Sequence, residues 1–582
     1  MQSVDFTTLV ALCRELQAQW LPARIEQVYQ RDRHTLSLAL RTLERRGWLT
    51  LCWHPQAARL CLEDAPPRSP DTFTFSDQLR HQLGGFALTN LVLTAPWERV
   101  VDLQIAQRPG EDPRWHLYLE IMGKYSNAIL TDGDNQIITV AHQVNAQQSR
   151  VRTVQTGQPY QLPPPLLATA PSLEEPFNRW QERLSLIPGN LRKQWVKTYR
   201  GLSPVVVGTL LEQAGLTEER ETQTLTAEDW QNLFRAWQGW LQTLETGSFQ
   251  PGFTKTGYTV LGQDLQSVTT DVQTLIFCYY RDRLTQTHFS QLRHQLLQNV
   301  QNRWQKLQQK AQTFRDRLAQ AEQAENAKNQ ADLLMAHLHQ WQVGMKTLCL
   351  PDFVTGQPIT IPLSPDKNAI QNAQSLYKKH QKLKRATAAV LPLLTAVETE
   401  MAYLEQVETS LQSLTNPTCP DEYQTLTEIR EELSDQGYWE NPYPKPRTKS
   451  PDYHLERQTS PSGYEIWIGR NNRQNDYLTF RVARDYDLWF HSQEIAGSHI
   501  LLRLTPGAIA EEKDLQCAAD WAAYYSRGHQ SEQVPVIYTQ PKFVYKPKGA
   551  KPGMVVYKQE TVVWGKPANI PFYLEKFSIF PD

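Results

Sequence analysis

The stretch Trp467-Ile-Gly-Arg470-Asn-Asn-Arg-Gln-Asn-Asp476 runs on through Tyr477-Leu-Thr-Phe-Arg481, Asp487-Leu-Trp-Phe-His491 and Gly497-Ser-His499. A glycine opens a run of two Arg, three Asn and a Gln with no acid before Asp476. Many hydrogen-bond donors therefore meet at one point, as phosphate, sugar or base edges require. Asn and Gly also tolerate positive φ, so the same letters fit a polar hairpin tip, and the residues alone leave both readings open.

This segment resembles the C-terminal module of the NFACT family, whose pattern runs Val-Gly-Arg-Asn-Asn-x-Gln-Asn-Asp and then Trp-Phe-His-Ala-x-x-x-x-Gly-Ser-His. Gly469, Arg470, Asn471, Asn472, Gln474, Asn475, Asp476, Trp489, Phe490, His491, Gly497, Ser498 and His499 stand at those places, and Ser492 and Ala496 depart where Ala and Pro are usual. The resemblance is closest to the bacterial FbpA/RqcH-like ribosome quality-control members. It implies RNA or ribosome contacts for Arg470, Asn471, Asn472, Gln474, Asn475, Asp476, His491, Ser498 and His499.

Working outward, 582 residues with 40% apolar content can build several domains with sizeable cores. Sixty Lys and Arg stand against 61 acids, so whole-chain charge points to no polyanion and local clusters must carry that argument. The seven cysteines are scattered without metal-ligand spacing, which argues against a zinc site or a disulfide framework. No long apolar run and no basic start preceding an apolar core are visible, so the expectation is a cytoplasmic protein with no membrane partner.

Helical spacing from Leu9 to Trp20 gives way to alternation at Arg24–Tyr29, Thr35–Leu40, Trp48–Trp53, Val100–Ile105, Trp115–Ile121 and Asn127–Leu130, predicting an α+β domain that ends in the proline-rich stretch at Tyr160–Pro165. Within it, Glu120-Ile-Met-Gly123-Lys-Tyr-Ser-Asn127 is similar to the family's Glu-x-Met-Gly-Arg-x-Ser-Asn. Gly123 permits a tight turn, and Lys124, Ser126 and Asn127 beside it fit either a phosphate or ribose contact or an ordinary hairpin. Arg80 falls in a stretch matching the family's basic helix, and Glu98-Arg99 matches its acid-arginine pair, usually Asp-Arg, which the family uses on tRNA. Asp5 is a candidate partner of that pair. The resemblance thus implies a tRNA-binding set of Asp5, Arg80, Glu98, Arg99, Gly123, Lys124, Ser126 and Asn127.

From Pro171 to Phe253 helices are interrupted at Ile187-Pro-Gly189-Asn and Tyr199-Arg-Gly201-Leu-Ser-Pro204, similar to the family's helix-hairpin-helix region. Arg281–Val343 contains neither Gly nor Pro, and Phe289, Leu292, Leu296, Val300, Trp304, Leu307, Ala311, Phe314, Leu318 and Ala321 recur at intervals of three or four. That seam predicts a coiled-coil helix on the order of 90 Å long. A returning arm carries Val397, Met401, Leu404, Leu411 and Leu414, kinked or delayed by Pro392, with a hairpin at Leu348–Pro362 between the arms. The short connection favours pairing within one chain, hence a monomer, over a dimeric coil. On the returning arm Lys378, Lys379, Lys382, Lys384 and Arg385 gather about two helical turns of positive charge for phosphates, unless they are only a solvated face. A basic proline-rich linker, Asn441–Pro451, precedes the last module. There, six lysines stand against Glu560 alone between Pro541 and Lys566, with Lys546, Lys548 and Lys551 as RNA candidates.

The expected architecture is multidomain α+β: an N-terminal α+β domain (1–168), a helix-hairpin-helix region (169–255), a long antiparallel coiled-coil arm with an inserted hairpin (256–440) and a C-terminal α+β RNA-binding domain (441–582). No Walker loop, dinucleotide fingerprint, zinc-protease helix or nucleophile elbow occurs, so neither a cofactor nor catalysis by the chain itself is expected. The resemblance implies a factor that binds a large ribosomal subunit, through its rRNA, when peptidyl-tRNA obstructs it. Such a factor recruits alanyl-tRNA so that the ribosome extends the stalled chain. The alternatives are a fibronectin-binding surface adhesin and a DNA-glycosylase-like protein. The second lacks the N-terminal proline nucleophile, since Gln2 follows Met1, and DNA is not expected as a partner.

Overall fold

The computed structural model describes residues 1–67, 70–94, 96–164, 167–440 and 453–577. The chain forms two compact units, Met1–Leu284 and Thr285–Asp582. The architecture is multidomain α+β, as expected.

In the first unit α1 (Phe6–Trp20) starts at Asp5, whose carboxylate accepts the Thr8 N–H at 2.8 Å. Its Leu9, Leu12, Cys13 and Leu16 are buried at helical spacing. The strands follow as β1 (Ala23–Asp32), β2 (Thr35–Arg41), β3 (Arg46–Cys52), β4 (Arg59–Glu63), then α2 (Thr74–Leu83), β5 (Ala87–Leu93), β6 (Val100–Ala106), β7 (Trp115–Glu120), β8 (Asn127–Asp132) and β9 (Ile137–Val140). They pair in one antiparallel sheet, β4-β3-β2-β1-β5-β6-β7-β8-β9. Leu103, Leu117 and Leu130 lie opposite one another across β6, β7 and β8 and are fully buried, so alternation translates directly into a core row. Beyond the sheet, α3 (Phe177–Ser185), α4 (Leu191–Thr198), α5 (Pro204–Gln213) and α6 (Ala227–Thr246) enclose a second core rich in indoles, Trp180, Trp195, Trp230, Trp237 and Trp240. A small sheet of β10 (Gly252–Phe253), β11 (Tyr258–Thr259) and β12 (Ser267–Val268) follows.

The arm begins with α7 (Val272–Ala336), whose first turns place Leu275, Ile276 and Tyr280 in the core of the first unit. The hairpin of β13 (Thr347–Pro351) and β14 (Pro358–Pro362) leads to α8 (Ala369–Gln412), which continues through Pro392. Cross-arm hydrogen bonds run from Arg293 to the Leu411 carbonyl, Gln301 to Glu408, Trp304 to Glu405 and Arg315 to Glu398. Rising numbers on one helix meet falling numbers on the other, so the coil is antiparallel and closes within one chain. Leu296 and Val300 pack with Leu404, Val407 and Leu411, while Ala311 and Phe314 pack with Val390, Leu394 and Val397. α9 (Pro420–Asp435) then folds back on the base of α8, burying Leu426, Ile429 and Leu433 in the first of these layers. The expected linker at Asn441–Pro451 lies outside the described residues.

The last module contains β15 (Glu456–Thr459), β16 (Glu465–Ile468), α10 (Asn472–Tyr477), β17 (Leu488–Ser492), β18 (Ile500–Leu502), α11 (Glu512–Tyr524), β19 (Val534–Thr539), β20 (Val544–Tyr545), β21 (Val556–Tyr557), β22 (Thr561–Gly565) and α12 (Ile570–Phe577). Six strands pair in the order β15-β16-β18-β17-β19-β22, leaving β22 at an edge. Phe490, Ile500 and Val536 pack under α11 on one face; Trp489, Leu501 and Ile537 fill the other. One expectation changes here: Gly469–Asp476 is neither hairpin tip nor open loop but the start of a helix, with Asn471 as its N-cap accepting the Gln474 N–H.

Candidate RNA-contact sites

Gly123 adopts φ +58° and opens a single 3-10 turn, Gly123–Tyr125, between β7 and β8. A side chain would strain that backbone. The turn is braced from within: Ser126 Oγ accepts the Met122 N–H at 2.9 Å and donates to the Gly123 carbonyl at 2.8 Å. Asn127 Oδ1 accepts from His142 N, and its Nδ2 donates to the His142 carbonyl at 2.7 Å. Ser126 and Asn127 are thus buried and committed to shaping the loop, whereas Lys124 and Tyr125 project from it, the ammonium 4.9 Å from the Tyr125 ring.

Beside this turn lies a cavity of about 660 Å³, lined among others by Glu120, Met122, Lys124, Tyr125, His142, Arg150, Arg152, Val154 and Pro163. Two of its lining residues, Glu120 and Arg152, form an ion pair that the sequence did not announce. Arg152 grips buried Glu120 with two bonds of 2.6 and 2.7 Å, and Tyr160 donates its hydroxyl to the same carboxylate at 2.9 Å. Burial, then the Glu120 charge, drives the Tyr160 hydroxyl far above its ordinary range. Desolvation opposes the charge on Arg152, but the bonds to Glu120 outweigh it and hold the guanidinium protonated. A lining that joins apolar Met122, Val154 and Pro163 to a fixed ion pair and to exposed Lys124 and Arg150 suits a planar ring with an attached anion. A carboxylate ending an inward-facing strand needs a cation, and that was the available signal for Glu120.

The other N-terminal candidates are dispersed. Asp5 caps α1 and accepts the Ser203 hydroxyl at 2.6 Å, so both its oxygens are engaged. Arg99 donates to the Val4 carbonyl at 3.1 Å, which brings it to the same segment as Asp5, with Glu98 adjoining it and half-buried. Arg80 pairs with Asp71 at 2.7 Å and Asp77 at 3.2 Å, which satisfies its charge within α2 and the loop before it.

On the arm, Lys378, Lys379, Lys382, Lys384 and Arg385 are all exposed. Tyr377 just before them and His380 among them bond to α7, at Asp332 (2.5 Å) and the Ala324 carbonyl (3.0 Å).

In the last module the motif of Gly469–His499 is corrected from an exposed donor surface to a buried joint. Asn471, Asn472, Gln474 and Asn475 are 1–2% exposed. Asn471 Nδ2 and Gln474 Nε2 both donate to Glu428 at 2.8 Å, and Asn472 Nδ2 donates to Glu432 at 3.0 Å, all onto α9. Tyr403 of α8 supplies a second donor to Glu432, whose carboxyl burial pushes upward and these two bonds pull back. Arg470 is bound to Glu456 at 2.5 Å, the Ser413 carbonyl at 3.1 Å and the face of Tyr525. Asn475 Oδ1 receives the His499 N–H, and Asp476 receives the Gly553 N–H and the Lys546 ammonium. A Cβ on Gly553 would meet Asn472 Oδ1 at 2.4 Å, so the lysine-rich loop approaches the joint as closely as glycine allows.

The remaining motif residues are also interior. His491 and His499 lie 5.3 Å apart between ring centroids, both buried against Trp489. Thr479 Oγ1 accepts the Trp489 indole N–H and bonds His499 Nδ1 at 2.7 Å. Burial lowers the His491 pKa to about 4 and carries that of His499 well below the usual imidazole value, so both rings are neutral. Ser498 is buried too. Of the candidate lysines, Lys546 is spent on Asp476; Lys551 sits 4.6 and 4.3 Å from the rings of Tyr403 and Tyr438, where desolvation lowers its pKa. Lys548 is exposed. Composition cannot separate an RNA-facing cluster from one that faces α9, because the glutamates that decide it lie about forty residues upstream.

Among the described residues no helix is long and apolar enough to cross a membrane, and the seven cysteines are free thiols. Residues 5–452 match the NFACT N-terminal and middle domains, and residues 453–559 match the NFACT protein RNA binding domain. The Bacillus subtilis (strain 168) protein named Rqc2 homolog RqcH is 30% identical over 579 residues, covering 97% of this chain and 98% of that one. The Rqc2 homolog RqcH of Streptococcus pneumoniae serotype 2 is 29% identical over 566 residues, 95% and 96% of the two chains. A solved structure of the C-terminal part of the fibronectin/fibrinogen-binding protein from Streptococcus suis is 29% identical, covers 48% of this chain and 95% of that one, and aligns with a TM-score of 0.37.

Proposed function

This chain belongs to the NFACT family, and from that membership we propose that it is a ribosome-associated quality-control factor. It binds a large ribosomal subunit obstructed by peptidyl-tRNA and recruits alanyl-tRNA, and the subunit's own peptidyl-transferase centre forms the bonds of the tail. The observation that carries this reading is similarity to proteins named Rqc2 homolog RqcH along nearly the whole chain, arm included.

In this reading the tRNA meets the first unit at Arg99, Glu98 and the Gly123 turn, where Lys124 and Tyr125 stand free of the fold and the adjacent cavity offers a place for an unstacked base. The exposed arm cations Lys378, Lys379, Lys382, Lys384 and Arg385 meet rRNA phosphates, with Lys548 adding to them from the last module. Arg470, Asn471, Asn472, Gln474 and Lys551 serve RNA binding indirectly, by holding the module on the arm, and Asn475, Asp476, His491, Ser498, His499 and Lys546 do so by bracing the module from within. The chain acts as a cytoplasmic monomer and positions reactants without performing chemistry.

Purification of the tagged protein, sequencing of its bound RNA and C-terminal analysis of co-purifying nascent chains test the proposal. Large-subunit RNA, tRNA for alanine and alanine-extended chains are expected, with the tRNA and the extensions lost in Arg99→Ala. Recovery of no RNA above background would reject the assignment.

A further inference from the structure

Beyond the residues matched to the RNA-binding domain, which end at 559, the chain continues into β22 at the edge of the six-stranded sheet. An edge strand is ordinarily kept short, charged or covered. Here Val562 and Trp564 point outward from it, and Trp564 is 55% exposed although its neighbour Val563 packs into the core. The ribbon of β20 and β21 likewise turns Val544 and Tyr557 inward and leaves Tyr545 41% exposed opposite Val556. Lys558 ties the ribbon to β19, the strand with which β22 pairs. Its N–H bonds the Phe543 carbonyl, Thr539 Oγ1 bonds its carbonyl, and its ammonium lies 5.5 Å from the Tyr545 ring.

Charge selects the occupant. Two of the six lysines between Pro541 and Lys566 are consumed by the fold, Lys546 on Asp476 and Lys551 between two tyrosines. Lys542, Lys548, Lys558 and Lys566 remain exposed, against Glu560 as the one acid of the segment. Exposed rings set among solvent-exposed cations, one of which, Lys558, lies over the Tyr545 ring, fit a polyanion whose own rings are free to stack. A double helix keeps its ring faces covered, so unpaired nucleotides are the match. We infer that Tyr545 and Trp564, with Lys542, Lys558 and Lys566, form a platform for a single-stranded segment of RNA, bases stacking on the two rings and phosphates meeting the lysines. This rests on the reading of the protein as an RNA-binding factor.

The full-length chain is titrated, by fluorescence anisotropy, into a labelled unstructured RNA of roughly 12 nucleotides and into the same sequence annealed to its complement. Trp564→Ala is expected to weaken single-strand binding about ten-fold and to leave the duplex unaffected, with Trp564→Phe restoring most of the loss. Lys558→Gln is expected to lower the slope of log affinity against log salt, which Trp564→Ala does not change. Unchanged single-strand affinity in Trp564→Ala would mean that the edge serves a protein or another occupant, and equal losses on both probes would mean a general effect on the module; either overturns the inference. Single-strand binding that depends on Trp564, in a protein that fails to co-sediment with large ribosomal subunits, would support the platform while rejecting the function proposed above.

Discussion

The Gly123 turn and the Gly469–Asp476 motif use similar letters to opposite ends. Both place Asn beside a glycine and a cation, yet the first uses its Asn and Ser to shape a loop from which Lys124 and Tyr125 emerge, while the second turns three amide side chains inward onto Glu428 and Glu432 and its Arg470 onto Glu456. The difference is the partner. Around Gly123 the Ser126 hydroxyl and the Asn127 amide find backbone carbonyls and N–H groups, in the turn and at His142, whereas the later motif finds carboxylates on α9 that would be costly to bury without donors. A donor-rich sequence therefore announces a need for acceptors and is silent about whose they are.

The contrast can be broken most severely at the ion pair of the N-terminal cavity. Glu120→Ala leaves the half-buried Arg152 without its carboxylate and is expected to lower stability by about 3 kcal/mol, read as a shift of the first unit's urea transition; a shift below about 1 kcal/mol would show the ion pair to be dispensable. Acid should act next, and on the other unit. Because the His491 pKa falls to about 4 in the folded state, the unfolded chain takes up the proton first as pH drops below about 6.5. Stability is fully present above that value and is lost as pH falls toward 4, by up to about 3 kcal/mol, with His499 acting in the same direction. Unfolding midpoints at pH 7 and pH 5 measure this, and His491→Gln should flatten the dependence.

Smaller changes sharpen the comparison. Asn472→Ala removes one donor from Glu432 and is expected to cost about 1–3 kcal/mol while the salt dependence of RNA binding stays as it was. Lys382→Gln should do the reverse: a stability change within about 0.5 kcal/mol and a salt slope smaller by about one. If Asn472→Ala altered the slope, or Lys382→Gln the stability, the division between joint and contact surface would not hold.

Legibility followed the range of the interactions. The strands β1, β2, β3, β6, β7 and β8 could be read because alternation is a local pattern, and Gly123 because a positive φ leaves its mark on one residue. The arm showed itself through a repeat sustained over many turns. What escaped were contacts that join distant stretches: Arg152 with Glu120, Arg470 with Glu456 and Ser413, Lys551 with Tyr403 and Tyr438. Lys551 looks like Lys548 in sequence, and only the tyrosines of the arm tell them apart. β4, β5 and β9 also went unread, being short or flanked by turns that blur the alternation.

Pro392 has a mechanical meaning for the arm. Without an N–H at that residue α8 forgoes the bond to the Ala388 carbonyl, so one rung of its backbone ladder is missing between the layers of Val390 and Leu394. A rod with one weakened section bends there under load before it bends elsewhere. The basic face of α8 therefore lies on the far side of this missing rung from the layer that meets α9, and at the rung itself the arm depends on the packing of Val390 and Leu394 against Ala311 and Phe314 of α7.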